Sequence, residues 1–237
     1  DEQVDQALRL IRTASRPVMY VGQGVRGAAD TVMTLAKKLQ MPVITTALGK
    51  PIIPYAFEAL LGSAARVASK PANEALRVAD LIMFVGSNYP FAEVMFSPKA
   101  KFIQIEADPK TLGKRHHTDV AILADAPATL KKMIAHSDEA PSSGWYQANV
   151  DNVKNWHQYN DDMMQRTTGD MRFEPVFGQI NRIATDDAIF AIDVGDVTQN
   201  AVRLLKVNGR QAWTTSGLFA TMGAGLPAAL AGQLSFP

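Results

Sequence analysis

Along residues 2–136, short unbroken apolar runs alternate with segments whose apolar residues recur every three or four positions. Runs of the first kind, bounded by turn residues, read as strands buried on both faces. The second spacing reads as helices packed through one face. The pattern predicts a helix over 3–13, a strand at 18–21, and a helix at 28–40 that aligns Val32, Leu35, Ala36 and Leu39. A strand at 42–46 leads into a Gly- and Pro-containing stretch, 47–70, read as a long loop. A helix at 71–78 and strands at 81–85, 101–105 and 120–123 follow, and a helix at 126–136 closes the unit. Strands alternating with helices in this way build a parallel, Rossmann-like α/β sheet with helices on both faces.

The stretch from Ser137 to Gly144, Ser-Asp-Glu-Ala-Pro-Ser-Ser-Gly, has the composition of a linker. A polar helix is expected over 145–166. The alternation then restarts with a helix at 175–184 and a strand at 188–192 that ends in Asp193-Val-Gly-Asp196. A further helix, a strand at 211–214 and a small-residue helix at 220–232 follow. The expected division is one complete unit over 1–137, a linker with its helix over 138–172, and the opening of a second α/β unit over 173–237. The chain starts without Met and stops at Ser235-Phe-Pro237, and reads as a piece of a longer protein.

Composition narrows the function classes. With 47% hydrophobic and 20% charged residues, the chain has the balance of a soluble globular protein. A net charge of +1 implies no broad attraction to nucleic acid or to an anionic membrane. The absence of cysteine excludes disulfides, thiolate metal sites and cysteine nucleophiles, and fits a reducing, cytoplasmic setting. No apolar run approaches the ~20 residues of a membrane span, and the acidic start is unlike a signal peptide.

Candidate chemistry gathers at the strand ends. The first strand runs straight into Gly22-Gln-Gly-Val-Arg-Gly27, a Gly-x-Gly-x-x-Gly turn before a helix. Glycines let backbone approach a diphosphate, and N–H groups with the helix dipole favour the anion. A dinucleotide unit should carry an acid about 20 residues further on to hold a ribose. The second strand, Met41-Pro-Val-Ile-Thr-Thr-Ala47, has none. Other strands end in small or polar residues: Thr45-Thr-Ala-Leu-Gly49, Gly86-Ser-Asn88, Glu106-Ala-Asp108 and Ala124-Asp125. Turn residues are needed at any strand end. Taken together, these ends suit a nucleotide laid across the sheet edge, with Asp108 and Asp125 as replacements for the missing acid. Asp108 would also cap a helix opening at Pro109.

Arg66, in the long loop, is the first strong cation available to a phosphate or flavin, and Lys50 a weaker one; the alternative for each is a solvated surface charge. Lys114-Arg-His-His117 reads as a solvated helix end. No histidine has metal-ligand spacing with acids or cysteines, so no metal site is assigned. A phosphate loop of the Gly-x-x-x-x-Gly-Lys-Ser/Thr kind fails because Ala28 follows Gly27. In the tail, three glycines and five alanines between 220 and 232 mark a tightly packed helix. Phe219-Ala-Thr-Met-Gly-Ala-Gly225 also looks like the loop and helix start that hold thiamine diphosphate in enzymes that decarboxylate 2-keto acids.

With both halves in view, the chain resembles the FAD-containing, thiamine-diphosphate-dependent pyruvate oxidases. The resemblance is carried by Val85-Gly-Ser-Asn-Tyr-Pro-Phe-Ala-Glu93, Ile105-Glu-Ala-Asp-Pro109, Leu112-Gly-Lys-Arg-His116, Asp193-Val-Gly-Asp196 and Phe219-Ala-Thr-Met-Gly223. It implies a central FAD-binding domain followed by the start of the thiamine-diphosphate-binding domain. On that resemblance FAD is held by Gly22, Gly24, Val25, Gly49, Lys50, Gly62, Ser63, Arg66, Gly86, Ser87, Asn88, Asp108 and Asp125. Thiamine diphosphate meets Gly195, Asp196 and the backbone around Ala220. Met222 is the catalytic residue implied, wedging the cofactor into a bent shape that brings its amino group near the thiazolium carbon.

The implied reaction is oxidative decarboxylation of pyruvate with phosphate and O2 to acetyl phosphate, CO2 and H2O2, in a homotetramer. The family's pyrimidine-binding domain and its Mg²⁺-binding Gly-Asp-Gly…Asn motif are not in this sequence, so Mg²⁺ ligands are expected outside it and the segment alone is expected to be inactive. Quinone-dependent pyruvate dehydrogenase and acetolactate synthase share the architecture and stay open as alternatives. From another class, so does a non-catalytic FAD-binding electron-transfer module.

Overall fold

The computed structural model describes residues 1–64, 68–88 and 95–236. Its larger sheet has six parallel strands: β1 (Pro17–Val21), β2 (Val43–Thr45), β3 (Leu60–Ser63), β4 (Leu81–Val85), β5 (Lys101–Glu106) and β6 (Val120–Leu123). They lie in the order β3-β2-β1-β4-β5-β6, that of the dinucleotide-binding sheets. Every residue of β1 and β4, at the centre, is buried, which is why these strands read as unbroken apolar runs.

Alternate residues of each strand face opposite layers. Met19, Val21, Met83 and Ile103 pack in one core with α1 (Glu2–Thr13), α2 (Ala29–Lys38) and α4 (Ala126–His136). Val18, Tyr20, Ile82 and Phe84 pack in the other with α3 (Lys70–Val78) and α5 (Gly144–Met164). Helix α1 shows why such segments are helical: Val4, Ala7, Leu8 and Ile11 make one buried stripe. Truncating Leu8 to Ala would cost about 2–4 kcal/mol.

Four expectations are corrected. The stretch 47–70 is not all loop, for it holds a 3₁₀ turn at Lys50–Ile52 and the edge strand β3. Four residues interrupted by Gly62 are too few for periodicity to register; pairing of Val43 with Leu60 and Thr45 with Ser63 makes them a strand. No helix opens at Pro109, where the chain makes only turns. Asp108 Oδ1 there accepts the Lys110 N–H at 2.9 Å. Hence 114–117 is not a helix end, and His116 stacks on Phe102 and Phe84, with centroids 5.2 and 5.7 Å apart. Finally, the last helix begins at Gly225, not 220, because Ala220 and Gly223 take φ of 52° and 84°, which a right-handed helix cannot contain.

The second unit has the parallel pair β7 (Ile189–Ile192) and β8 (Ala212–Thr215) with α6 (Phe173–Ile183), α7 (Asp196–Leu204) and α8 (Gly225–Ser235). Its small core centres on Phe177, Ile192, Val202, Leu205 and Trp213. Helix α5 packs on α3 and on α6, joining the two units. At the junction the Tyr55 N–H donates to Val207 O (2.8 Å), the His157 ring stacks on Tyr55 (4.0 Å), and Asp161 pairs with Lys206 (2.6 Å). Burial pushes the His157 imidazole down to about 4, against the opposing pull of Asp161. Among the described residues no helix is long and apolar enough to cross a membrane.

Candidate functional site

The order of the large sheet reverses between β1 and β4, and in open parallel sheets ligands bind beyond the carboxyl ends of strands at such a point. The segments that leave these two strands are Gly22–Gly27 and Gly86–Asn88, and they interlock. Gly22 N–H donates to Val85 O and Gly24 N–H to Gly86 O, both at 3.0 Å. A Cβ on Gly24 would lie 2.5 Å from Gly86 Cα, and one on Gly22 would lie 2.5 Å from Gly86 O. Gly86 itself sits at φ 58°. These glycines are therefore demanded by backbone meeting backbone.

That changes the expected role of the turn. The N–H groups of Gly22, Gly24, Val25, Arg26 and Ala28 all donate within the protein. No side chain caps α2, so its first-turn N–H groups are the donors left for an anion. They open on a cleft of about 560 Å³ lined by Arg26 and Gly27 on one side and by Asn208–Trp213 of the second unit on the other.

The other candidates of the first unit fall into three groups. Val25 is wholly buried in the core. Ser63 is also buried, its hydroxyl 3.0 Å from that of Thr45; a Cβ on Gly62, at φ 91°, would strike Ser69 Oγ. These three support the sheet edge from inside. Around the switch point, Gly49 approaches Val21 O and Gly22, Ser87 is buried, and Asn88 Oδ1 is buried without a hydrogen-bond partner among the described residues. Lys50 is also buried, at 8% exposure, and burial lowers its amine to about 8. Asp108 and Asp125 stand exposed at the ends of β5 and β6, and Asp125 Oδ1 caps α4 through Ala128 N–H (2.9 Å). Arg66 and the stretch 89–94 lie outside the described residues.

In the second unit Gly195 (φ 134°) and Asp196 are exposed at the start of α7. Across from them the turn 216–224 presents Ala220 in the left-handed region and Met222 with 81% of its surface free. Asp193 joins the two segments: its Oδ1 accepts the N–H of Val194 at 2.7 Å and of Gly223 at 2.8 Å. Gly195 and Asp196 are the residues expected here from sequence; Asp193 is not among them. A signal was present in the acid placed directly after a strand, but its partner is thirty residues away.

Comparison with known proteins accounts for both units. Residues 4–133 match the thiamine pyrophosphate enzyme central domain, and residues 193–237 match the C-terminal thiamine-pyrophosphate-binding domain of the same enzymes. The chain belongs to the thiamine pyrophosphate enzyme family. It is 46% identical to a pyruvate oxidase of Lactiplantibacillus plantarum, over 99% of this chain and 40% of that protein. It is 31% identical to the large subunit of acetolactate synthase isozyme 1 of Escherichia coli, over 100% of this chain and 42% of that protein. An acetolactate synthase of Mycobacterium bovis is 29% identical over 99% of the chain and 40% of its own length. The chain thus spans about two fifths of the length of these relatives.

The donors present suit the cofactors of such an enzyme. A buried amine, an orphaned amide oxygen and an uncapped helix start are groups that a polar, anionic ligand would satisfy. An exposed thioether held on a left-handed turn suits the apolar face of a ring. Among the described residues no group of three or more His, Asp or Glu side chains could hold a metal ion.

Proposed function

We propose that this chain is the FAD-binding core and the opening of the thiamine-diphosphate-binding unit of a pyruvate oxidase. The observation that carries the reading is the identity gap: 46% to a pyruvate oxidase against 31% and 29% to acetolactate synthases over the same residues. The domain division at about 137 and 173 belongs to this reading. So do pyruvate, phosphate and O2 as substrates, Mg²⁺ as a further cofactor, and a cytoplasmic homotetramer.

When bound, thiamine diphosphate supplies a carbon nucleophile for decarboxylating the 2-keto acid, and FAD supplies the two-electron acceptor. This chain's residues bind and orient. Gly22, Gly24, Gly49 and Gly86 bring backbone to the switch point, Ser87 and Asn88 offer polar atoms beside it, and Lys50 supplies positive charge from a dry position. Asp108 and Asp125 accept from the ribose or adenine end, with Val25, Gly62 and Ser63 holding the sheet edge and Arg66 reaching a phosphate. Gly195, Asp196 and the Ala220 backbone would hold thiamine diphosphate, and Met222 would bear on its rings and orient it for reaction.

The test is anaerobic addition of pyruvate to the full-length flavoprotein loaded with both cofactors. Bleaching of the oxidised flavin, followed by peroxide and acetyl phosphate once O2 and phosphate are admitted, is the expected result. Acetolactate formed without bleaching would overturn it. Bleaching that is reversed by a quinone and not by O2 would move the reading to the quinone-dependent dehydrogenase.

A further inference from the structure

The turn that presents Met222 is held from both sides. On one side Ser216 O accepts the Ala220 N–H at 2.8 Å and Ser216 Oγ accepts the Thr221 N–H at 3.1 Å. On the other, Asp193 Oδ1 accepts the Gly223 N–H at 2.8 Å. Hydrogen bonds from Val194 and Gly223, with the nearby N–H groups of Gly225 and Ala224, hold the Asp193 carboxyl below its ordinary range. The fit is close, since a Cβ on Gly225 would lie 3.0 Å from Asp193 Cβ and 3.1 Å from Asp193 N. The Asp193 backbone is anchored in turn, its carbonyl accepting the Thr198 hydroxyl at 2.6 Å. Met222 therefore stands between two pinned neighbours, with its own side chain free.

We propose that Asp193 is a positioning residue: its carboxylate, with Ser216 as the opposing anchor, fixes the Thr221–Gly223 turn and so sets where Met222 stands against the thiamine cofactor. The inference rests on the reading of Met222 as the wedge. A carboxylate that served only as a negative charge at the start of α8 would tolerate displacement. One that places a turn would not.

Two variants separate these roles in the full-length holoenzyme. Asp193→Glu keeps the charge and moves it by one methylene. Asp193→Asn keeps an acceptor oxygen in place and removes the charge. The readout, taken without substrate, is exchange of the thiazolium C2 proton for deuterium on bound thiamine diphosphate, followed by proton NMR after acid quench.

Asp193→Glu is expected to slow exchange by about 10-fold or more, because misplacement of a positioned group by an ångström is felt at this scale. Asp193→Asn is expected to stay within about 3-fold of wild type, the loss of a fraction of one hydrogen bond. Wild-type exchange in Asp193→Glu overturns the proposal, as does equal slowing in both variants. Met222→Ala keeps the two readings apart. If it slows exchange while Asp193→Glu does not, the positioning role alone is lost; if it exchanges at the wild-type rate, the wedge itself is lost.

Discussion

The loop pair at Gly22–Gly24 and Gly86 and the turn at Ser216–Gly225 both depend on glycine, but for different reasons. In the first, two backbones touch at the centre of a six-stranded sheet, and the N–H groups of Gly22 and Gly24 are spent on Val85 and Gly86. In the second, the turn stands at the rim of a two-stranded sheet and is held by a carboxylate and a hydroxyl. Glycine in the first is a steric demand with no alternative. Glycine at 223 in the second is a matter of φ, since nothing lies within 4 Å of the position its Cβ would take. A rigid socket and a pinned, presented side chain are thus written with the same letters.

The sharpest way to break this contrast is to add one methyl group to each. Gly24→Ala drives a Cβ to 2.5 Å from the Gly86 backbone and should cost about 3 kcal/mol or more, unfolding the first unit early in a urea titration. Gly223→Ala meets open space and carries only the left-handed penalty, about 1–2 kcal/mol. Equal losses at the two sites would erase the distinction.

Lys50→Met tests whether the socket keeps its buried amine for a ligand. The folded state lowers this amine from 10.5 to about 8, so below pH 8 the fold carries the whole cost of a buried charge. The cost fades as pH rises to 10.5. At pH 7 the variant should gain about 2–3 kcal/mol in thermal or urea unfolding and bind FAD at least about 10-fold more weakly. Unchanged FAD affinity would remove Lys50 from the site.

The junction between the regions is probed by His157. Its folded value of about 4 lies below the unfolded 6.5, so the stability it protects is present above pH 6.5 and is lost as pH falls toward 4. His157→Gln should abolish that loss, worth about 2 kcal/mol after allowing for partial exposure, in unfolding curves compared at pH 7 and 4.5. The smallest effect is expected at Ala220→Gly. It relieves a left-handed alanine at the cost of a freer unfolded chain, for a net gain of about 0.5 kcal/mol by calorimetry.

Much of the large sheet was legible because burial on both faces leaves an unmistakable mark: β1 and β4 are apolar at every position, and α1 and α2 carry one-face stripes. The strand β3 was not, since a pairing partner and not its own pattern makes Leu60–Ser63 extended. The turn after Asp108 is not distinguishable from a helix start by sequence, because Asp-Pro opens either one. At the candidate site the glycines were legible as types, but their reason was not, because Gly24 and Gly86 meet only once the sheet brings them together. Asp193 shows the same limit, as an ordinary strand-end acid until a segment thirty residues away folds back onto it.

Helix α5 has a consequence of another kind. Its 21 residues span about 31 Å, with Val153 seated against the large sheet and Met164 against the second core. Asp161, on the same rod, reaches Lys206. A helix transmits angle as well as distance, so losing one residue between Val153 and Asp161 would turn everything beyond it by about 100°. Evolution can lengthen such a shaft only in near-whole turns, and the rotational phase between the two units is thereby keyed into the reading frame of one polar helix.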